Sequence, residues 1–166
     1  MLKEFVLSVL VFFLGFNYCN CQDKNEAMRV FKNLEGTWDN SYFSVQDPNI
    51  KGIAILKSTL IMGGRFLKME ASTISNTDTL EGLTILGYDE SSNKFSYFHI
   101  ENMKNNFITS VGEFNSSDST ITFIFKIVDS YKNLEIKTKL KMKIYSVNLY
   151  CSEIYKIEDN EQKLRF

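Results

Sequence analysis

The chain has 166 residues, a net charge of −1, 14 phenylalanines, eight tyrosines and a single proline. This length favours one domain, and the near-neutral charge gives no general basis for binding nucleic acid or an anionic surface. The many aromatic residues favour a β-rich domain, because such side chains fit a pleated, half-buried surface.

The N-terminus has the pattern of a secretory signal peptide. Lys3 precedes an apolar run over residues 5–16, and a polar stretch begins at Gln22. The run is too short to span a bilayer, and no later stretch is long enough. Cys19 and Cys21 are small residues at positions −3 and −1 if cleavage falls before Gln22. The sequence therefore predicts a signal peptide at 1–21, a single domain at 22–166 and an exported protein, whether periplasmic, envelope-associated or secreted.

Two alternatives remain for this segment. One is a lipoprotein with a lipid anchor at Cys19 or Cys21, although the residues before each cysteine are a poor version of the small-residue box that lipoprotein processing prefers. The other is a hydrophobic N-terminus on a cytosolic protein. Cleavage before Gln22 would leave Cys151 as the only remaining cysteine. The fold would then be held by its core and not by an intramolecular disulfide.

One helix is predicted, from Asn25 to Leu34. Its apolar residues recur at spacings of three and four, which is the period of a helix with one buried side. Gly36 follows and is suited to end it. We expect this helix to pack its apolar stripe against the mouth or edge of a sheet.

The rest of the chain predicts nine strands joined by short turns. Connections this short require antiparallel neighbours, and the tail from Glu158 to Phe166 is predicted to be loose. The predicted strands cover residues 37–45, 51–61, 65–74, 80–88, 94–100, 107–114, 120–128, 134–144 and 149–157.

The strand from Leu134 to Ile144 gives the clearest pattern. Apolar residues occupy one parity, interrupted by Thr138, and Glu135 and four lysines occupy the other. Side chains alternate across a strand, so one face is buried and the other is wet. A meander of such strands avoids exposed edges best by closing on itself. The predicted fold is an all-β, antiparallel, up-and-down lipocalin-like β-barrel of about nine or ten strands with a short N-terminal helix.

The lysine stripe of this strand has two interpretations. It could contact lipid headgroups or an acidic partner. More often such a stripe is a solvated face that also blocks aggregation between strands. The four residues are Lys137, Lys139, Lys141 and Lys143.

Three short motifs occur in a characteristic order. They are Gly-Thr-Trp at 36–38, Gly-Gly-Arg-Phe-Leu at 63–67, and Glu-Gly-Leu at 81–83 followed by Ile-Leu-Gly-Tyr-Asp at 85–89. Their order and spacing resemble the DUF1579 family, small bacterial proteins of unknown function that are often exported. The resemblance implies a fold related to the lipocalin-type barrels and implies no established reaction. The lysine-rich strand departs from the pattern of the family in the C-terminal third.

The motifs also have a purely structural interpretation. Trp38 could plug the bottom of the barrel, with Arg65 or Arg165 stacked on its face. Gly63 and Gly64 suit a turn that needs positive φ, whereas the glycines at 82 and 87 suit close packing or a bulge.

Residues with catalytic chemistry are few. His99, the only histidine, shares parity with Phe95 and Tyr97 and is expected to be a hydrogen-bonded strand residue. Cys151 is predicted to be a buried, inert thiol. No carboxylates have the spacing of a calcium loop, and we expect neither a metal nor a cofactor.

Three functions fit this fold. The first is an exported, non-catalytic binding module that holds a small apolar or amphipathic molecule inside the barrel. The second is a protein-interaction or structural module of the cell envelope with a side-chain-filled interior and an exposed apolar patch. The third is an enzyme acting on a hydrophobic substrate through His99 with Glu101 or a tyrosine. The residues predicted to line the ligand site inside the barrel are Trp38, Arg65, Tyr97, His99, Phe123 and Phe125.

Overall fold

The computed structural model describes residues 24–45, 47, 49–74, 79–103, 105–129, 134–158 and 161–164. The predicted signal peptide at 1–21, residues 75–78 and Arg165 lie outside the described residues. Predictions that concern them therefore stay predictions.

One helix precedes ten strands. Helix α1 is Lys24–Leu34, one residue longer than predicted. The strands are β1 (Gly36–Phe43), β2 (Lys51–Ile61), β3 (Phe66–Ile74), β4 (Thr79–Asp89), β5 (Lys94–Glu101), β6 (Phe107–Asn115), β7 (Thr120–Asp129), β8 (Leu134–Ser146), β9 (Leu149–Glu158) and β10 (Glu161–Leu164).

The strands form one antiparallel sheet in which each strand pairs with its neighbours in sequence, from β1 to β10. This confirms the predicted all-β, up-and-down fold. The sheet forms a half-barrel, since within the described residues no ladder joins β1 to β9 or β10. One prediction was wrong: the C-terminal tail is not loose throughout, because Glu161–Leu164 pairs with Tyr155–Glu158 of β9 as a short edge strand.

The inner face of the half-barrel is packed at one end, where α1 covers it. The Phe31 ring lies edge-on to the Phe95 ring of β5, with centroids 5.8 Å apart. Phe31 and Leu34 are completely buried, so the apolar stripe of the helix packs as predicted. The strand side chains of this core share one parity on each strand: Leu56, Leu67, Met69, Leu86, Phe95, Tyr97, Ile121, Phe123, Leu140, Met142 and Ile144.

Side chains connect β1 to β9 at this end. The Trp38 and Tyr150 rings meet edge-on, with centroids 5.0 Å apart, and Asn40 Nδ2 donates to the Tyr150 hydroxyl at 2.8 Å. The Trp38 indole N–H donates to the carbonyl of Leu34 at 3.0 Å, which ties the end of α1 to the first strand. The Trp38 ring is thus packed by a tyrosine and not by Arg65, which is exposed in the turn between β2 and β3.

Glycines act as predicted at two kinds of position. Gly63 and Gly64 have φ values of +69° and +83° in the turn between β2 and β3, where a residue with a side chain would be strained. Gly82 and Gly87 leave space for the neighbouring rings of His99 and Phe66. A Cβ on Gly82 would lie 3.2 Å from His99 Cε1, and a Cβ on Gly87 would lie 2.8 Å from Phe66 Cε1.

Candidate ligand site on the inner face

The inner face becomes more accessible along β5 with distance from the helix. The exposed fraction is 1% for Phe95 and 9% for Tyr97. His99 and Glu101, further along the strand, are half-buried, with side chains that are 21% and 18% exposed. These four residues alternate with outward residues, so they share the face that α1 covers. The half-barrel is therefore filled beneath the helix and partly open at the other end.

A polar cluster occupies the open end. Thr84 on β4 lies directly opposite His99 on β5, and its hydroxyl is 2.9 Å from His99 Nδ1. His99 Nε2 lies 3.6 Å from a carboxylate oxygen of Glu101. The Thr84 side chain also lies close enough to the Tyr97 hydroxyl to lower its pKa. We call Thr84, Tyr97, His99 and Glu101 the inner polar cluster.

The tyrosine of this cluster is a neutral phenol. Desolvation raises the pKa of Tyr97 to about 12, and the nearby Glu101 charge adds to the effect. The phenol therefore stays protonated over the physiological range. The cluster presents a phenol, a threonine hydroxyl, an imidazole and a carboxylate on the inner face.

Apolar side chains flank the cluster on the side of β6 and β7. Phe125 on β7 stacks on Tyr97 with an interplanar angle of 2° and centroids 5.8 Å apart. Ile108 on β6 pairs with His99, and both Ile108 and Phe125 are only partly buried. On the other side, Ala71 on β3 pairs with Gly82, and neither carries a side chain large enough to fill the space next to the His99 ring.

Three of the six predicted site residues meet at this end: Tyr97, His99 and Phe125. Phe123 is fully buried in the core beneath the helix, and Trp38 is engaged with Leu34 and Tyr150. The predicted interior position of Arg65 was wrong, because Arg65 is exposed in a turn at the helix end.

Sequence reasoning missed Thr84 as a site residue, although a signal for it exists. The turn at 90–93 pairs Asp89 with Lys94, and counting back along both strands from that pair places Thr84 against His99. The prediction that His99 is a hydrogen-bonded strand residue is confirmed. The prediction of a buried thiol was wrong, because Cys151 is exposed. Its partner in the ladder is Lys143, on the outer face.

Two shallow grooves lie on the outer face. The smaller, of about 390 Å³, is lined by Phe66, Ile85, Phe98 and Val111. The larger, of about 600 Å³, contains Ile55, Leu83 and Ile100 together with several charged residues. Both are open to solvent and lack the grouped hydrogen-bonding side chains of the inner polar cluster.

Among the residues that the structure describes, no three His, Cys, Asp or Glu side chains are grouped so that they could hold a metal ion. None of the described helices is long and apolar enough to cross a membrane.

The fold and site define a class: a small antiparallel half-barrel, capped at one end by a helix and partly open along its inner face at the other. The family model described as a protein of unknown function, DUF1579, matches residues 24–166. The chain belongs to the DUF1579 family, as its motifs indicated. No curated protein matches it.

Proposed function

We propose that this protein is a non-catalytic binding module that holds a small amphipathic molecule on the inner face of the half-barrel. The observation that carries the proposal is the gradient of exposure along β5, from a buried Phe95 to a partly open His99 and Glu101. Ligand sites in proteins combine an apolar wall with a few placed polar groups. The open end combines both.

The polar groups favour a particular kind of head group. An ionised carboxylate accepts hydrogen bonds and cannot donate them, so Glu101 favours a ligand whose head is a hydroxyl or an amine. The apolar part of the ligand would lie against Phe125 and Ile108. A carboxylate head would meet the charge of Glu101 at close range and is disfavoured.

Calorimetric titration with decanol, decylamine and decanoate tests this proposal. These probes share one chain and differ in the head group. We expect the alcohol and the amine to bind at least about tenfold more tightly than decanoate, a difference of about 1.4 kcal/mol. Equal affinity for all three, or binding of none, would contradict the proposal.

Paired variants locate the site. Ala71→Phe would place a ring on the inner face beside His99, and we expect it to abolish binding. Ser72→Phe is the control, since it puts the same ring on the adjacent residue, which is exposed on the outer face. Equal loss in both variants, with circular dichroism showing both folded, would place the ligand elsewhere.

A second pair tests the head group. Glu101→Gln keeps the shape and removes the charge, so we expect decylamine to lose affinity relative to decanol. Glu113→Gln is its control, because Glu113 is exposed and pairs with Lys94 at 3.0 Å. A change of the same size in the control would show a general charge effect.

We also propose that the protein is exported, on the basis of the signal-peptide pattern before Gln22. Intact mass spectrometry of the protein from its own cells tests this. A chain beginning at Gln22 is expected. A mass that includes residues 1–21 would contradict export by cleavage, and a lipid on Cys19 or Cys21 would indicate the lipoprotein alternative.

A further inference from the structure

The hairpin between β8 and β9 carries apolar side chains into solvent. Tyr145, Val147 and Leu149 are 57%, 60% and 57% exposed, and we call these three residues the hairpin tip. The turn is ordered by a hydrogen bond from the Asn148 backbone N–H to Ser146 Oγ at 3.2 Å. No charged residue occurs from position 144 to position 152. Three large side chains are thus presented together without a charge between them.

A basic surface adjoins the tip on the outer face of the sheet. Lys143 Nζ lies 5.1 Å from the centre of the Tyr145 ring, and Lys141 Nζ lies 5.3 Å from the centre of the Tyr155 ring. The surface comprises five lysines on two adjacent strands: Lys126, Lys137, Lys139, Lys141 and Lys143.

Two carboxylates lie within this surface and balance only part of its charge. Glu135 pairs with Lys126 at 2.6 Å, and Glu153 accepts a hydrogen bond from the Tyr155 hydroxyl at 2.7 Å. Desolvation, and after it the neighbouring charge of Lys141, lowers the pKa of Lys139. The positive charge is concentrated on one face of a chain whose net charge is −1.

Protection of a strand edge does not explain these lysines. β8 is paired along most of its length with β7 on one side and β9 on the other. Its backbone is therefore not available to another chain, whereas lysines that block aggregation belong on edge strands. The predicted solvated face is consistent with the structure, whereas the added role of blocking aggregation between strands has no free strand edge to protect in β8.

We propose that the hairpin tip and the adjoining basic surface dock this protein onto an anionic lipid bilayer. Interfacial anchors combine apolar and aromatic residues that enter the headgroup boundary with lysines that meet anionic lipids. An acidic protein partner would use the lysines but would leave the tip unexplained. Two of the other turns at this end of the sheet, those after β4 and β6, carry Asp89, Glu90 and Asp118. Anionic headgroups would repel these carboxylates, so the β8–β9 hairpin and the outer face beside it make the main contact.

Tryptophan placed at the tip tests insertion directly. Val147→Trp and Val45→Trp are a matched pair, because the two valines are 60% and 51% exposed and lie at opposite ends of the sheet. In the full chain with vesicles of phosphatidylcholine and phosphatidylglycerol, brominated acyl chains should quench the added fluorescence of Val147→Trp and leave that of Val45→Trp unquenched. Wild type, with Trp38 alone, gives the baseline. Equal quenching of the two variants, or no quenching of Val147→Trp, would overturn the proposal.

The lysines are tested by charge-matched variants in the same chain, so that any contribution of residues 1–23 cancels. Lys141→Gln with Lys143→Gln should weaken binding to the anionic vesicles about 30-fold, since each lysine near such a surface contributes about a fivefold effect. Lys51→Gln with Lys57→Gln removes the same charge from β2 and should leave binding unchanged. Equal effects of both pairs, or equal binding of wild type to vesicles without phosphatidylglycerol, would contradict the proposal. An acidic protein partner would be indicated if the lysines matter in cells but the tryptophan of Val147→Trp is never quenched.

Discussion

The Trp38 ring lies at right angles to the Tyr150 ring, with centroids 5.0 Å apart, and joins the first strand of the half-barrel to the ninth. The two strands share no backbone ladder in the described structure. This pair and the Asn40–Tyr150 hydrogen bond therefore hold together strands that lie far apart in the order of the sheet. Burial raises the pKa of Tyr150, and its hydroxyl oxygen is the acceptor of that bond.

The first prediction concerns the Tyr150 hydroxyl. Tyr150→Phe keeps the ring contact and removes the partner of Asn40, so we expect the free energy of unfolding to fall by about 1 kcal/mol. Urea denaturation measures this change. Tyr145→Phe is the control, because Tyr145 is 57% exposed and its change should stay within about 0.5 kcal/mol. Equal changes in the two variants would show that the bond does not stabilise the seam between β1 and β9.

The second prediction is that alanine destabilises the fold more at Gly112 than at Gly87. A Cβ on Gly112 would clash with the fully buried Phe123 ring and would lie 2.8 Å from the carbonyl oxygen of Thr122. Gly112→Ala should therefore destabilise the fold by about 1 to 3 kcal/mol, as overpacking does in other cores. Gly87→Ala meets only the Phe66 ring, which is 39% exposed and can move away, so a smaller loss is expected. Thermal unfolding of both variants measures the two losses of stability. Equal losses would contradict the expectation that the Phe66 ring can move away while the Phe123 ring cannot.

The third prediction concerns acid stability. Hydrogen bonds from Ser92 and Ser91 lower the pKa of Asp89 from 3.8 to about 2. Because this pKa is lower in the folded state, the ionised carboxylate stabilises the fold at pH values above its ordinary pKa of 3.8. The stabilisation is lost as the pH falls through about 2. Asp89→Asn should therefore be less stable than wild type at pH 7, and the difference should vanish over this acid range.

Urea midpoints measured across this range test the third prediction. Asp118→Asn, in the exposed turn between β6 and β7, reports the effect of removing one surface carboxylate. A stability difference for Asp89→Asn that does not change with pH would show that the hydrogen-bonded carboxylate is not its cause.

Much of the fold follows from alternation along the sequence. The strand from Leu134 is recognisable because its buried and wet faces are chemically distinct, and Thr138, which interrupts the pattern, is itself buried at 2% exposure. The last strand was missed because Glu161–Leu164 is short and mostly polar and exists through its pairing with β9. Parity could have corrected the prediction for Cys151, since an inward Tyr150 requires its neighbour to face outward.

Less of the candidate site than of the fold could be predicted from the sequence. Parity placed Tyr97 and His99 on one face, and the structure keeps them there. The partner of Trp38 could not be found in this way, because Tyr150 is distant in sequence and no local pattern connects the two residues. Which end of the barrel stays open was also hidden, since it depends on where α1 packs.

A small amphipathic molecule held on the open inner face should accompany the protein from its own cells. Native mass spectrometry of the protein purified from those cells, followed by denaturation and lipid extraction, detects it. We expect a reproducible lipophilic adduct that is released on denaturation, that is absent from Ala71→Phe and that persists in Ser72→Phe. A protein without an adduct, or an adduct that persists in Ala71→Phe, would contradict the claim.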